Sequence, residues 1–139
     1  MIVARVLPYE LPQLWDVFRP LLATSFQFDT HTYGVDDILE ALISEEAQLW
    51  GVADEGKVLG AVVTGIEAGP KAKVCNILHL GGENVERWIG EMDAALTEFC
   101  KENGCVSYEA ITDRKGFSKL IPGFEVRGYL LVKKIGSEA

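Results

Sequence analysis

Seven apolar residues, Val85, Trp88, Ile89, Met92, Leu96, Phe99 and Cys100, follow one another at spacings of 3, 1, 3, 4, 3 and 1. At about 3.6 residues per turn they share one face of a helix, and no other stretch of the chain is so periodic. Asn84 stands where an N-cap belongs, and Asn103-Gly104 supplies a C-terminal stop. The spacing therefore predicts a helix of about 20 residues and about 30 Å, enough to cross a whole small domain.

What flanks this helix constrains it further. Residues 74–80 (Val-Cys-Asn-Ile-Leu-His-Leu) read as a buried strand, and Cys105 opens another run of strand character to Ile111. A strand–helix–strand unit of this kind predicts two parallel neighbours joined by a right-handed crossover. The first junction is Gly81-Gly82-Glu83-Asn84-Val85-Glu86-Arg87. Glycines leading into a helix N-terminus bring unpaired N–H groups and the positive end of the helix dipole together, a common way to hold an anion.

The rest of the chain supplies more sheet and two shorter helices. Residues 2–7 suggest a first strand, closed by Pro8. Leu11, Leu14, Trp15, Val17, Phe18, Leu21 and Leu22 recur at helical spacing, with Pro20 expected to kink or end that helix. A loop with Phe26, Phe28, His31 and Tyr33 follows, then a helix opening at Asp36 and Asp37 with Ile38, Leu39, Leu42 and Ile43 on one face. Residues 48–53 and 57–66 flank Asp54-Glu55-Gly56, a hairpin signal, and the second arm is apolar enough to be buried on both faces. Residues 114–121 predict a short helix ended by Pro122-Gly123, and residues 124–135 a final strand. No linker or repeat interrupts residues 1–139, so one domain is expected.

Charge and cysteine usage narrow the partners. The net charge of -8 speaks against nucleic acid, which is bound by clustered Lys and Arg, and is compatible with cationic substrates such as amines. Cys75, Cys100 and Cys105 are odd in number, form no CxxC pair, and read as small buried hydrophobes of an intracellular protein, with no metal site and no disulfide framework. No apolar stretch approaches the ~18 residues of a membrane span, and no signal peptide is evident, so a cytoplasmic location is expected. Trp15, Trp50 and Trp88 sit on apolar stripes and are expected in the core.

The order strand, two helices, hairpin, strand, long helix, strand, short helix, strand resembles the GNAT superfamily of acyl-coenzyme A-dependent N-acetyltransferases. The resemblance covers essentially the whole chain. It rests on the hairpin Trp50-Gly51-Val52-Ala53…Val58-Leu59-Gly60-Ala61-Val62, on the ending Lys119-Leu120-Ile121-Pro122-Gly123-Phe124-Glu125, and on the long helix between a buried strand and a Gly-Cys-Val strand. It implies an α/β (α+β) fold with a mixed central sheet of about six to seven strands and about four helices, the long helix following the fourth strand. It also implies acetyl-coenzyme A as co-substrate, an unidentified amine as acceptor, and direct attack of that amine on the thioester.

Carried onto this chain, the resemblance puts the coenzyme along Leu78, Leu80, Gly81, Gly82, Glu83, Asn84, Val85 and Arg87. The family's pyrophosphate loop, of the type R/Q-x-x-G-x-G/A, is shorter here, and Glu83 and Glu86 bring negative charge to it. The tyrosine that acts as general acid in many members is replaced by Lys119. For the base that takes the ammonium proton, His79 has the suitable intrinsic pKa and Glu109 lies on the neighbouring strand. The altered loop and Lys119 suggest a second reading, a GNAT-like binding or assembly module without transfer chemistry, as in phage-type proteins. The apolar residues 129–132 are compatible with a homo-oligomer.

Overall fold

A computed structural model describes residues 1–25, 33–111, 119–121, 123–128, 131, 133 and 135. The chain runs β1 (Ile2–Val6), a 3₁₀ turn (Pro8–Glu10), α1 (Leu11–Ala23), α2 (Val35–Ile43), β2 (Gln48–Asp54), β3 (Lys57–Ala68), β4 (Lys73–Gly82), α3 (Val85–Asn103) and β5 (Cys105–Ala110). The strands lie in the order β1-β2-β3-β4-β5, antiparallel throughout except for the parallel pair β4–β5. The expected strand–helix–strand unit is therefore present.

The sheet separates two apolar layers. On one face α3 buries Trp88, Met92 and Leu96 against Trp50, Val52, Val62, Cys75, Ile77 and Leu80. On the other, α1 and α2 bury Trp15, Phe18, Leu22, Ile38 and Leu42 against Leu49, Ala61 and Val63. β3, central and covered on both sides, is buried over seven consecutive residues, as its unbroken apolar run predicts. Trp88 lies flat on Gly60, where a Cβ would fall 2.8 Å from the indole Cε2. The β2–β3 turn places both Glu55 (φ 50°) and Gly56 (φ 77°) in the left-handed region, as a two-residue hairpin matching the strand twist requires.

Several expectations are corrected. Among the described residues there are five strands and three α-helices, not six to seven and four. Phe124 to Gly128 form no ladder, because burial does not alternate there: Glu125, Val126 and Arg127 are all exposed, and Arg127 pairs with Glu125 two positions away. Most of the expected short helix (112–118) and most of the apolar stretch 129–132 lie outside the described residues. Pro20 neither ends nor visibly interrupts α1, which continues to Ala23. Asn84 precedes α3 in a left-handed conformation (φ 51°) and makes no side-chain capping bond. The helix start is held instead by Trp88, whose Nε1–H donates to the Glu83 carbonyl at 2.8 Å.

The three cysteines, scattered in sequence, converge where α3 passes into β5. Cys75 and Cys100 are buried and Cys105 packs against the same cluster, all as free thiols. Burial first, then the neighbouring Cys100 thiol, pushes Cys75 from its ordinary 9.0 up to about 12. These thiols are inert core groups.

Candidate functional site

The feature that organises the site is a β-bulge in β4. Thr64 of β3 faces Ile77 and Val63 faces His79, so Leu78 is an extra residue with no partner of its own. A bulge shifts the side-chain alternation by one. Ile77 and Leu80, three apart, accordingly both join the α3 core, while His79 turns to the α1 side. Leu78 remains 41% exposed, its tip against Gly65.

The parallel pairing with β5 stops at the same place. The last pair is Ile77 with Ala110, and β4 continues through Leu78–Gly82 with only β3 beside it among the described residues. Among the described residues, the bulge thus marks the point where the β4–β5 pairing ends.

Beyond the bulge both glycines are demanded by packing. A Cβ on Gly81 would collide with the Leu21 carbonyl and lie 2.7 Å from Thr24 Oγ1, so the last turn of α1 rests on bare backbone. A Cβ on Gly82 (φ 136°) would lie 2.6 Å from Gly60 Cα on β3. The Glu83 N–H is spent on the Leu59 carbonyl at 2.8 Å. In the first turn of α3 the Arg87 N–H is bonded to the Asn84 carbonyl at 2.8 Å, and the N–H groups of Val85 and Glu86 precede the helical ladder.

The charges at this junction are neutralised from the β2–β3 hairpin, which sequence reasoning did not connect to it. Lys57 Nζ lies 3.5 Å from Glu83, and Arg87 donates to Asp54 at 3.0 Å. The Met1 ammonium and then Arg87 hold the Asp54 carboxyl below its ordinary range. Glu83, whose charge opposes a pyrophosphate, is therefore matched by a cation, although exposed pairs of this kind contribute only about 0–1 kcal/mol.

The close approach of α1 to Gly81 has a second consequence. It puts Ser25, just past the helix, directly over His79. His79 is 3% exposed, with Nδ1 3.0 Å from Ser25 Oγ and Nε2 2.7 Å from the Tyr33 hydroxyl. The rings of Tyr33 and His79 meet edge to face at 5.6 Å. Tyr33 precedes α2 and is 42% exposed; burial of its hydroxyl end raises its pKa. Sequence analysis singled out His79 but assigned no role to Ser25 or Tyr33, since nothing in their spacing ties positions 25 and 33 to position 79.

Glu109, the other candidate base, is exposed on β5 beside Asn76 of β4, with Ser107 Oγ donating to it at 3.3 Å. Asn76 in turn donates to Glu67 at 3.3 Å. Glu109 lies on β5 opposite Asn76, three positions from His79 along β4. Lys119, at the position of the family's acid, is exposed. On the opposite face, Tyr108 donates to Asp93 of α3, and burial raises its pKa. Among the described residues no group of three or more His, Cys, Asp or Glu is placed to hold a metal ion, and no helix is long and apolar enough to cross a membrane.

No protein-family model matches the chain, and no curated protein matches it in sequence. Solved structures do match. A probable acetyltransferase superposes with a TM-score of 0.74 at 16% identity, over 97% of this chain and 99% of that one. An aminoglycoside acetyltransferase from an uncultured soil metagenomic sample, solved with sisomicin, gives 0.72 at 15%, over 96% and 95%. The ribosomal-protein-alanine N-acetyltransferase of Brucella melitensis biovar Abortus 2308 gives 0.66 at 15%, over 96% and 100%. At such identities the likeness is one of architecture, and it extends over nearly the full length of both partners. A GNAT family acetyltransferase of Staphylococcus aureus subsp. aureus USA300_TCH1516 gives 0.64 at 15%, over 96% and 98%: the chain has the GNAT acetyltransferase fold.

Proposed function

We propose that this protein is an N-acetyltransferase that moves the acetyl group of acetyl-coenzyme A to a cationic amine. The observation that carries this reading is the parting of β4 from β5 at the Leu78 bulge, directly ahead of the α3 N-terminus. The residues there suit the coenzyme. The backbone of Leu78, His79 and Leu80 offers strand-like hydrogen bonds to the amide groups of a pantetheine arm. The first-turn N–H groups of α3 at Val85 and Glu86, at the positive end of the helix dipole, offer donors to a pyrophosphate, with Lys57 and Arg87 beside them, each paired to a carboxylate. Gly81, Gly82, Glu83 and Asn84 contribute the turn that aims α3, with the Glu83 N–H already engaged.

The acceptor class follows from charge. The chain carries -8 overall, and Glu109 lies exposed on β5 opposite Asn76, two residues before the bulge. A polycationic amine is drawn to such a surface. Attack on the thioester requires a neutral amine, so a base must take one proton from the ammonium; His79 and Glu109 are the two groups beside the bulge suited to it. Orientation of the amine and proton removal then supply most of the rate.

Calorimetric titration with acetyl-coenzyme A tests the reading. Binding with a stoichiometry of about one, followed by acetylation of at least one of sisomicin, spermidine or an alanyl-terminated peptide by mass spectrometry, is the expected result. Absence of heat and of any thermal shift at millimolar coenzyme overturns it, in favour of a binding or assembly module. The exposed Lys119 and the engaged Glu83 N–H are the observations on that side.

A further inference from the structure

Two hydrogen bonds to described residues bracket the His79 ring, one at each nitrogen. Ser25 Oγ lies 2.8 Å from the Leu22 carbonyl, which can only accept, so the single hydroxyl hydrogen points there. With that hydrogen on Leu22, Ser25 Oγ at 3.0 Å is an acceptor toward His79 Nδ1, and the ring tautomer that matches carries its hydrogen on Nδ1. In that tautomer Nε2 accepts from the Tyr33 hydroxyl, 2.7 Å away. A buried base is thus linked through one short hydrogen bond to a phenol that reaches the surface beside the bulge.

We propose that Tyr33 and His79 form a proton relay, in which the Tyr33 oxygen receives the proton of the acceptor ammonium while its own phenolic proton passes to His79 Nε2. This rests on the acetyltransferase reading above. The step conserves protons and charge: the ammonium becomes a neutral amine, Tyr33 is a neutral phenol before and after, and His79 becomes an imidazolium. Ser25 Oγ continues to accept from Nδ1–H and so holds the charged ring where the neutral one stood. Reversal of the same two transfers, with water as the final acceptor, resets the pair after the amide forms. Tyr33 is the group that touches substrate, His79 is the base acting through it, and Ser25 is a positioning residue. The arrangement explains how a histidine only 3% exposed serves a reaction at the surface.

Three variants, Tyr33→Phe, His79→Gln and Ser25→Ala, test it, with the acceptor being whichever of sisomicin, spermidine and the alanyl peptide the wild type acetylates fastest. Turnover is followed by coenzyme A thiol release between pH 6 and 9.5, beside calorimetric affinity for acetyl-coenzyme A. Tyr33→Phe and His79→Gln are each expected to lose on the order of 100-fold or more in kcat, the usual range for general-base assistance. Their acetyl-coenzyme A affinity should stay within about twofold, and the double variant should be no slower than the worse single one. The fall in rate on the acid side should disappear in both. Ser25→Ala should shift that limb, and long-range proton–nitrogen NMR of the ring should show the Nδ1–H form in the wild type and a mixture in the variant. Tyr33→Phe removes only a hydroxyl from a part-exposed ring, so it decides alone if His79→Gln does not fold.

Unchanged kcat and an unchanged acid limb in Tyr33→Phe overturn the relay and leave the acetyltransferase reading standing. An Nε2–H tautomer in the wild type overturns the relay as well. No acetyl-coenzyme A binding, or binding without transfer to any of the three amines, rejects the transfer reading and the relay with it.

Discussion

The two faces of the sheet are built differently. The α3 face is closed: Trp88 is fully buried, Met92 and Leu96 are 1% exposed, and polar groups there are paired in place, as in the chain Trp50 Nε1 to Thr64 Oγ1 to Gln48. The α1–α2 face has an equally apolar floor, but beside the bulge it carries a buried imidazole linked through Tyr33 to the surface. The difference teaches where this molecule holds its shape and where it holds its chemistry. On the α3 face the phenol of Tyr108 is bonded to Asp93 within the helix–sheet packing, while on the other face one short hydrogen bond joins a buried imidazole to an exposed phenol.

Trp88→Ala is the most severe way to break the comparison. It empties the space over Gly60 and removes the bond to the Glu83 carbonyl, so a loss of about 3–5 kcal/mol is expected in urea or guanidinium unfolding. Alkaline pH attacks the same face through the thiols. An unfolded Cys75 ionises near 9.0 and the folded one near about 12, so the folded state holds the proton more tightly. Stability should be intact below pH 9 and fall as pH rises toward 12, by up to about 4 kcal/mol from this group alone. Cys75→Ala should flatten that slope, as unfolding curves from pH 8 to 11 would reveal.

Gly81→Ala probes the other face. Its Cβ has no room beneath the Leu21 carbonyl, and backbone cannot yield as a side chain does. A loss of about 1–3 kcal/mol is expected, with α1 lifted away from His79 and hydrogen exchange quickened at its C-terminal end. Ser25→Ala is the mildest change. It removes the hydroxyl that bonds the Leu22 carbonyl and His79 Nδ1, for a loss of about 1–2 kcal/mol in thermal or denaturant unfolding. A stability cost from Ser25→Ala equal to that of Trp88→Ala would erase the distinction between the two faces.

Much of this was legible in residues with strong local signals. The stripe from Val85 to Cys100 required α3, the Glu55-Gly56 turn required the hairpin, and the unbroken apolar run after Val58 required a strand covered on both sides. Each depends on periodicity or on φ preference, which act within a few residues. Pro20 misled because a proline late in a helix that packs along its whole length can be carried by tertiary contacts. Phe124 to Gly128 misled because apolar content without alternating burial does not make a ladder.

The sequence by itself determined the layered α/β architecture, the long helix and the presence of a histidine at the end of a buried strand. It did so because hydrophobic period and turn chemistry are local properties. The tertiary structure decided the rest. The Leu78 bulge, a matter of register between two strands, turned His79 away from the α3 core. The bare backbone of Gly81 let α1 descend until Ser25 met one imidazole nitrogen and Tyr33 the other. Those contacts span 46 and 54 positions along the chain, and only the closing of helix onto sheet brings them together.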